Sequence, residues 1–339
     1  MFTAFSSLVG SVIMAAVVMF ALLTGFAYMT LIERRVSARI QVRLGPNRVG
    51  FGGMFQPLAD AVKLLLKEDI VPSQADKPVF TLAPIISITV ALAAFAVIPF
   101  GNAINIFGVN IPLRLADVNV GILYIFGITS LGVYGIVLAG WASNNKYALL
   151  GGVRASAQVI SYELAMGMAV IGVVILTGSL SLNDIVRHQN GLWFGFLPRW
   201  NIFVQPVAFV LYVIAATAET NRAPFDLPEA ESELIAGYHI EYSSMRWSMF
   251  FMAEYINLFT VSAIATTLFL GGWSGFNFIG GFPWFFIKLS AFMFFFMWMR
   301  WTLPRLRYDK LMKFGWHILL PLALLNLAVT AAVVVLGNF

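Results

Sequence analysis

The stretch ETNRAPFDLPEAESELIAGYHIEYSSMRW, residues 219–247, holds Glu219, Asp226, Glu229, Glu231, Glu233 and Glu241, six of the sixteen acidic residues in a 339-residue chain that is 60% hydrophobic. Long apolar runs flank it on both sides, which pins its carboxylates at a membrane surface. The local spacing predicts a short helix over Leu227 to Ala236. Asp226 and Glu229 make a capping box, Pro228 sits in the first turn where its missing N–H costs nothing, and Gly237 takes the left-handed position after the last turn. That helix sets Glu229 and Glu233 one turn apart on one face, where like charges repel. Accepting this repulsion beside a bilayer points to carboxylates that are used, or that pair with something outside this chain. A plainly solvated acidic face is the alternative.

Outward from this stretch, only 11% of the residues are charged, 31 are Phe, and the mean hydropathy is +0.85. A soluble domain carries about a quarter charged residues. The pattern is that of an all-α polytopic membrane protein with eight transmembrane helices. They are expected over Leu8 to Ile32, Val79 to Pro99, Val118 to Gly140, Ala157 to Thr177, Phe203 to Ala218, Ser248 to Leu270, Trp284 to Leu303 and Trp316 to Leu336. The first run has no Lys or Arg before it, no small-residue cleavage site and more length than a signal h-region, so it reads as a retained helix. Between the first two spans, Met54 to Glu68 is too short and too charged to cross. Its Met54, Phe55, Leu58, Val62, Leu65 and Leu66 share one face and Asp60, Lys63 and Lys67 the other, which makes it an interfacial amphipathic helix. No repeat or composition shift divides the chain, so residues 1–339 read as a single transmembrane domain.

Lys and Arg fix the orientation. The loops after the first, third, fifth and seventh helices hold eight, two, two and four, against three in all other loops and termini together. By the positive-inside rule the first set faces the cytoplasm or matrix, including loops 33–78 and 219–247. Glu33, Glu163, Glu219 and Glu254 then all fall in the inner third of the membrane. The outer halves of the helices hold a single ionisable residue, Lys288, near enough to the surface to snorkel. Intramembrane acids are expensive and mark proton or ion routes. With nothing continuing them outward, they form a half-channel open to the inner face and leading sideways into a partner. Without cysteine the chain has no disulfide, iron–sulfur cluster or thiolate zinc site, and His188, His239 and His317 are not paired at helical spacing for a haem. No metal site is expected, and any electrons arrive from another polypeptide.

Plainer readings stand beside these. Glu33 with Arg34 makes a helix-end ion pair, Glu163 and Glu254 serve as interhelical hydrogen-bonding groups, the amphipathic helix is a surface anchor, and Phe292 to Trp301 is packing rather than a cofactor box.

The segments ERRVSARIQVRLGPNRVG (33–50), QPLADAVKLLLKED (56–69), SYELAMG (161–167), AETNRAPFDLPEAESELIAGYHIEYSSMRW (218–247) and AEY (253–255) together resemble the H-subunit family of respiratory complex I, over the whole chain and in order. The resemblance implies the quinone-chamber membrane component of a proton-pumping NADH-quinone oxidoreductase. It implies a quinone tunnel entered near the first helix, the amphipathic helix and the sixth helix, with Glu33, Arg34, Arg43, Asp60, Arg300 and Arg305 lining or bordering it. It also implies a proton path through Glu163, Glu219, Asp226, Glu229, Glu231, Glu233, Glu241 and Glu254 toward pumping subunits. The substrate would be ubiquinone or menaquinone, with FMN and iron–sulfur clusters only on partner subunits and no catalytic residue for electron transfer here. The partners would be peripheral-arm quinone-module subunits, neighbouring small membrane subunits and the lipid bilayer, with no nucleic acid. The setting would be the bacterial inner membrane, in preference to the mitochondrial one. The alternatives are the homologous membrane anchor of a ferredoxin- or hydrogenase-linked complex, and a stand-alone ion transporter; the missing inverted repeat argues against the transporter.

Overall fold

The computed structural model describes residues 2–102, 104–106, 109–111, 113–193, 197–226, 236–275 and 281–337. Helix α1 spans Phe2–Ile40, α2 Gln56–Leu66, α3 Lys77–Ala94, α4 Gly121–Ala142, α5 Lys146–Thr177, α6 Leu182–His188, α7 Asn201–Val204, α8 Pro206–Glu219, α9 Ser244–Phe269, α10 Gly281–Thr302 and α11 Tyr308–Gly337, the last with a π-turn at Gly315–Leu319. Among the described residues, seven of these are long and apolar enough to cross a membrane: α1, α3, α4, α5, α9, α10 and α11. The chain is an α-helical polytopic membrane protein. To the all-helical expectation the structure adds two antiparallel hairpins on the loops after α3 and α6: Ile104–Ile106 with Val109–Ile111, and Leu192–Trp193 with Leu197–Pro198.

The fifth expected span is the one that shortens. Its continuous part, α8, has 14 residues, about 21 Å at 1.5 Å per residue, against a hydrocarbon core of about 30 Å. The break is at Gln205, whose φ and ψ of −127° and 57° are not helical. Pro206 has no N–H to continue the ladder, and its ring disfavours a helical residue before it. The Gln205 side chain instead reaches α11, donating to Thr330 Oγ1 at 2.7 Å.

Two other helices outrun their apolar windows. α1 continues past Ile32 to Ile40, and α5 begins at Lys146, eleven residues before the expected start, capped by Asn145 accepting from Tyr147 N at 2.9 Å. In both, charged residues end the hydrophobic run but not the helix. The expected helix over 227–236 lies, apart from Ala236, outside the described residues. Gly237 does adopt the left-handed backbone its expected role requires, with φ of 58°.

α5 lies at the centre, packed against α4, α8 and α11, while α9 contacts α1, α2, α3, α8 and α10. The second half of α9, from Val261 to Phe269, is wholly buried. Small residues permit the closest approaches, as expected where lipid gives helices no hydrophobic reason to associate. A Cβ on Gly151 would stand 2.7 Å from Gly237 Cα and 2.8 Å from Tyr238 N. Gly151→Val is therefore expected to lift the 236–243 segment off α5, at roughly 1–3 kcal/mol. Thermal unfolding in mild detergent measures this, with Gly167→Val as control, since nothing lies within 4 Å of a Cβ there.

Candidate functional site

Glu33 sits within α1, two turns before its end, and is 4% exposed. Neighbours on a helix point about 100° apart, and Glu33 and Arg34 take different partners instead of forming the helix-end pair. Glu33 Oε1 accepts from Arg222 Nη1 at 2.8 Å and from Arg300 Nη1 at 2.6 Å, while Tyr255 OH donates to Oε2 at 2.5 Å. Arg34 turns outward to Asp60 of α2, with Nη1 to Oδ2 at 2.7 Å, and Gln56 Nε2 donates to the other Asp60 oxygen at 3.0 Å. The polar face of the amphipathic helix is thus fastened to α1. Its apolar face stays open, with Leu58, Leu65 and Leu66 all exposed.

Arg222 is the centre of the cluster. It lies in the loop just after α8, is 2% exposed, and its Nε stands 3.2 Å from Glu254 Oε1. Its guanidinium also lies 4.5 Å over the Tyr255 ring. Two carboxylates, one buried and one part-buried, balance two guanidiniums, which is how charges survive burial. Burial alone would weaken the Arg222 proton, but Glu33 and Glu254 more than offset this and hold its pKa above the ordinary arginine value. The loop carrying Arg222 is strapped by Gln158 of α5, whose Nε2 donates to Ala218 O at 2.8 Å and to Phe225 O at 2.7 Å.

Two cavities meet at this cluster. One, of about 380 Å³, is lined by Glu33, Arg34, Arg43 and Arg300 together with Tyr255, Phe251 and Trp301. Four of the six residues expected at a quinone tunnel share it, and Asp60 borders it through Arg34. Arg305 stands apart, donating from its guanidinium to the Asp226 backbone carbonyl. The second cavity, of about 60 Å³, is lined by Glu219 and Glu254 with Thr129, Asn221 and Asn257. A water needs roughly 10–15 Å³ of such space, so this one admits a few. Glu163, on α5, accepts from Ser130 Oγ and lies within electrostatic reach of Glu219. Glu241 is held farther along by Asn145 Nδ2 at 2.6 Å. Asp226 is half-buried in electrostatic reach of His239. Burial pushes His239 down to about 4 against the opposing pull of Asp226, so it is neutral near pH 7. Glu229, Glu231 and Glu233 lie outside the described residues.

Sequence reasoning passed over Arg222 and Tyr255. The signal was faint: Arg222 is one of two cations in a stretch with six acids, and Tyr255 follows Glu254 directly. Lys288 is also corrected. It is 5% exposed and does not snorkel; its ammonium turns inward to Leu270 O and Gly272 O, at 2.5 and 3.0 Å, and lies 4.5 Å over the Trp200 ring. The free carbonyls at the end of α9 offer it a better partner than the interface.

Residues 13–331 match the family model described as NADH dehydrogenase. The chain is 55% identical to the H subunit of the NADH-quinone oxidoreductase of Thermomicrobium roseum, over 96% of each chain. It is 54% identical to the corresponding H subunit of Syntrophotalea carbinolica over 95% of each, and 54% identical to the H 1 subunit of Geobacter sulfurreducens over 95% of this chain and 94% of that one.

Proposed function

The chain belongs to the NADH dehydrogenase family, and from that premise we propose that it is the membrane subunit of a proton-pumping NADH-quinone oxidoreductase in a bacterial inner membrane. Residues 1–339 act as one transmembrane domain, with α7 and α8 together forming an eighth span and loops 33–78 and 219–247 on the inner side. Quinone, ubiquinone or menaquinone, enters beside α1, α2 and α9 and takes electrons from an iron–sulfur partner, FMN being farther away in the same assembly. Peripheral-arm subunits cover the inner loops, and small membrane subunits flank the helices.

The observation that carries this reading is the 380 Å³ cavity, whose lining brings Arg34, Arg43, Arg300 and Tyr255 together beside Phe251 and Trp301. Aromatic walls suit a flat ring. The cations are placed to stabilise the negative charge that grows on quinone oxygens as electrons arrive, which is where preorganised donors act most strongly. Glu163, Glu219, Asp226, Glu229, Glu231, Glu233, Glu241 and Glu254 then carry the response to reduction, as protons, toward pumping subunits. Arg305 acts by fixing the Asp226 end of this loop. The 54–55% identity to NADH-quinone oxidoreductase subunits favours this over a ferredoxin- or hydrogenase-linked anchor.

Asp60→Asn tests the reading. It removes one charge from the cavity border without changing volume, and releases Arg34. Quinone reduction by the assembled complex is expected to fall several-fold, with short-chain and long-chain quinones affected differently. A pure surface anchor would instead give lost assembly or no change. The topology has its own test, made simple by a chain with no native cysteine. Arg43→Cys, Glu231→Cys and Asp309→Cys are each expected to react with an impermeant maleimide only from the inner face. Labelling from outside would refute the eight-span arrangement.

A further inference from the structure

The two cavities share no lining residue, and Arg222 pairs with one carboxylate from each. Glu33 lines the larger and Glu254 the smaller. Arg222 donates to Glu33 from Nη1 at 2.8 Å and forms an ion pair with Glu254, its Nε 3.2 Å from Oε1 without a hydrogen bond. Tyr255 lies under the same guanidinium and donates to Glu33. Arginine cannot give up its proton in a protein and has no acceptor atom, so it cannot relay protons as a carboxylate, histidine or water does.

We infer that Arg222 is a positioning residue that bars direct proton passage between the quinone cavity and the acidic cavity while coupling them by charge. Resting on the function proposed above, this assigns the acidic path a break at its first step. With both carboxylates ionised, Glu33, Glu254, Arg222 and Arg300 sum to zero. A proton taken up by Glu33 leaves the cluster at +1, and the Arg222 charge then falls to Glu254 to balance. Glu33 and Glu254 therefore share the Arg222 charge, with Arg300 held chiefly by Glu33, and a change in one cavity alters the other with no atom passing between them. The strap from Gln158 holds the backbone on either side of Arg222.

The experiment reads the quinone side after altering the far side. In the assembled complex in native membranes, Glu254→Gln is expected to leave Arg222 wholly to Glu33. The KM for a short-chain quinone should then rise at least about fivefold, the lower end of typical coupling between sites, with a smaller change in kcat. In the Arg222→Lys background the same Glu254→Gln change should no longer move KM, because a lysine ammonium cannot hold both carboxylates in one fork. An unchanged KM in Glu254→Gln, or an equal rise in the Arg222→Lys background, would overturn the proposal. If Glu254→Gln does not assemble, Glu254→Asp draws the charge back from Arg222, and the same KM shift decides. Failure of the underlying reading shows separately, as wild-type turnover in Asp60→Asn.

Discussion

Arg222→Met is expected to cost the protein about 3–5 kcal/mol, the usual penalty for removing one member of a buried ion cluster. Methionine fills similar volume, so packing alone would not produce such a loss. What fails is compensation: Glu33 keeps Arg300 and Tyr255, but Glu254 loses its ion pair with Arg222 while remaining part-buried. The measurable result is a low content of assembled complex and early thermal inactivation of what does assemble. Adding Glu254→Gln to Arg222→Met removes the other half of that ion pair and should recover much of the assembly, since replacing a whole buried pair is far less costly than breaking it. It should not recover quinone reduction. Normal stability of the single variant would mean that the cluster is not the anchor between α1, the loop after α8, and α9.

Much of the fold was legible because the bilayer demands long apolar runs, and all seven long helices contain a run visible in the sequence. The ends were less legible, for a physical reason. A charge ends hydropathy but not a helix, so Glu33 and Arg154 looked like boundaries where the backbone continues. The break at Gln205–Pro206 was readable from proline, but lay inside an apolar window that outweighed it. The site was legible as a set of acids and not as a structure. Glu33 meets Arg222, Tyr255 and Arg300 across separations of 189, 222 and 267 residues, and nothing local encodes such meetings. Lys288 misled in the same way: depth in the membrane could be counted, but the carbonyls waiting at the end of α9 could not.

Glu219→Gln is expected to slow both quinone reduction and proton pumping by more than fivefold. A single hydrogen bond of about 1 kcal/mol accounts for roughly fivefold in rate, so a larger loss indicates a titrating role. The geometry sharpens this expectation. Glu219 Oε2 is buried without a protein hydrogen-bond partner among the described residues, beside the cavity that also holds Glu254. A buried carboxylate oxygen in that state needs a proton or a water to complete it. Glutamine keeps the shape but exchanges no proton. Glu219→Asp keeps the acid at shorter reach and should restore part of the activity. NADH-driven quinone reduction and proton uptake into sealed vesicles, at matched complex content, measure both effects. Equal pumping and turnover in wild type and Glu219→Gln would make Glu219 a structural end to α8.

The claim on which the account rests is that quinone occupies the polar cavity beside Glu33, not the larger apolar groove of about 590 Å³ between α8 and α10, lined by Phe209, Val213, Phe292 and Phe295. A photoactivatable short-chain quinone, bound to the assembled complex and irradiated, tests this directly by the peptides it marks. The expected result is cross-linking within residues 30–46 and 251–255, lost when excess unlabelled quinone is present. Competable cross-links confined to residues 209–214, with none in 30–46, would contradict the account.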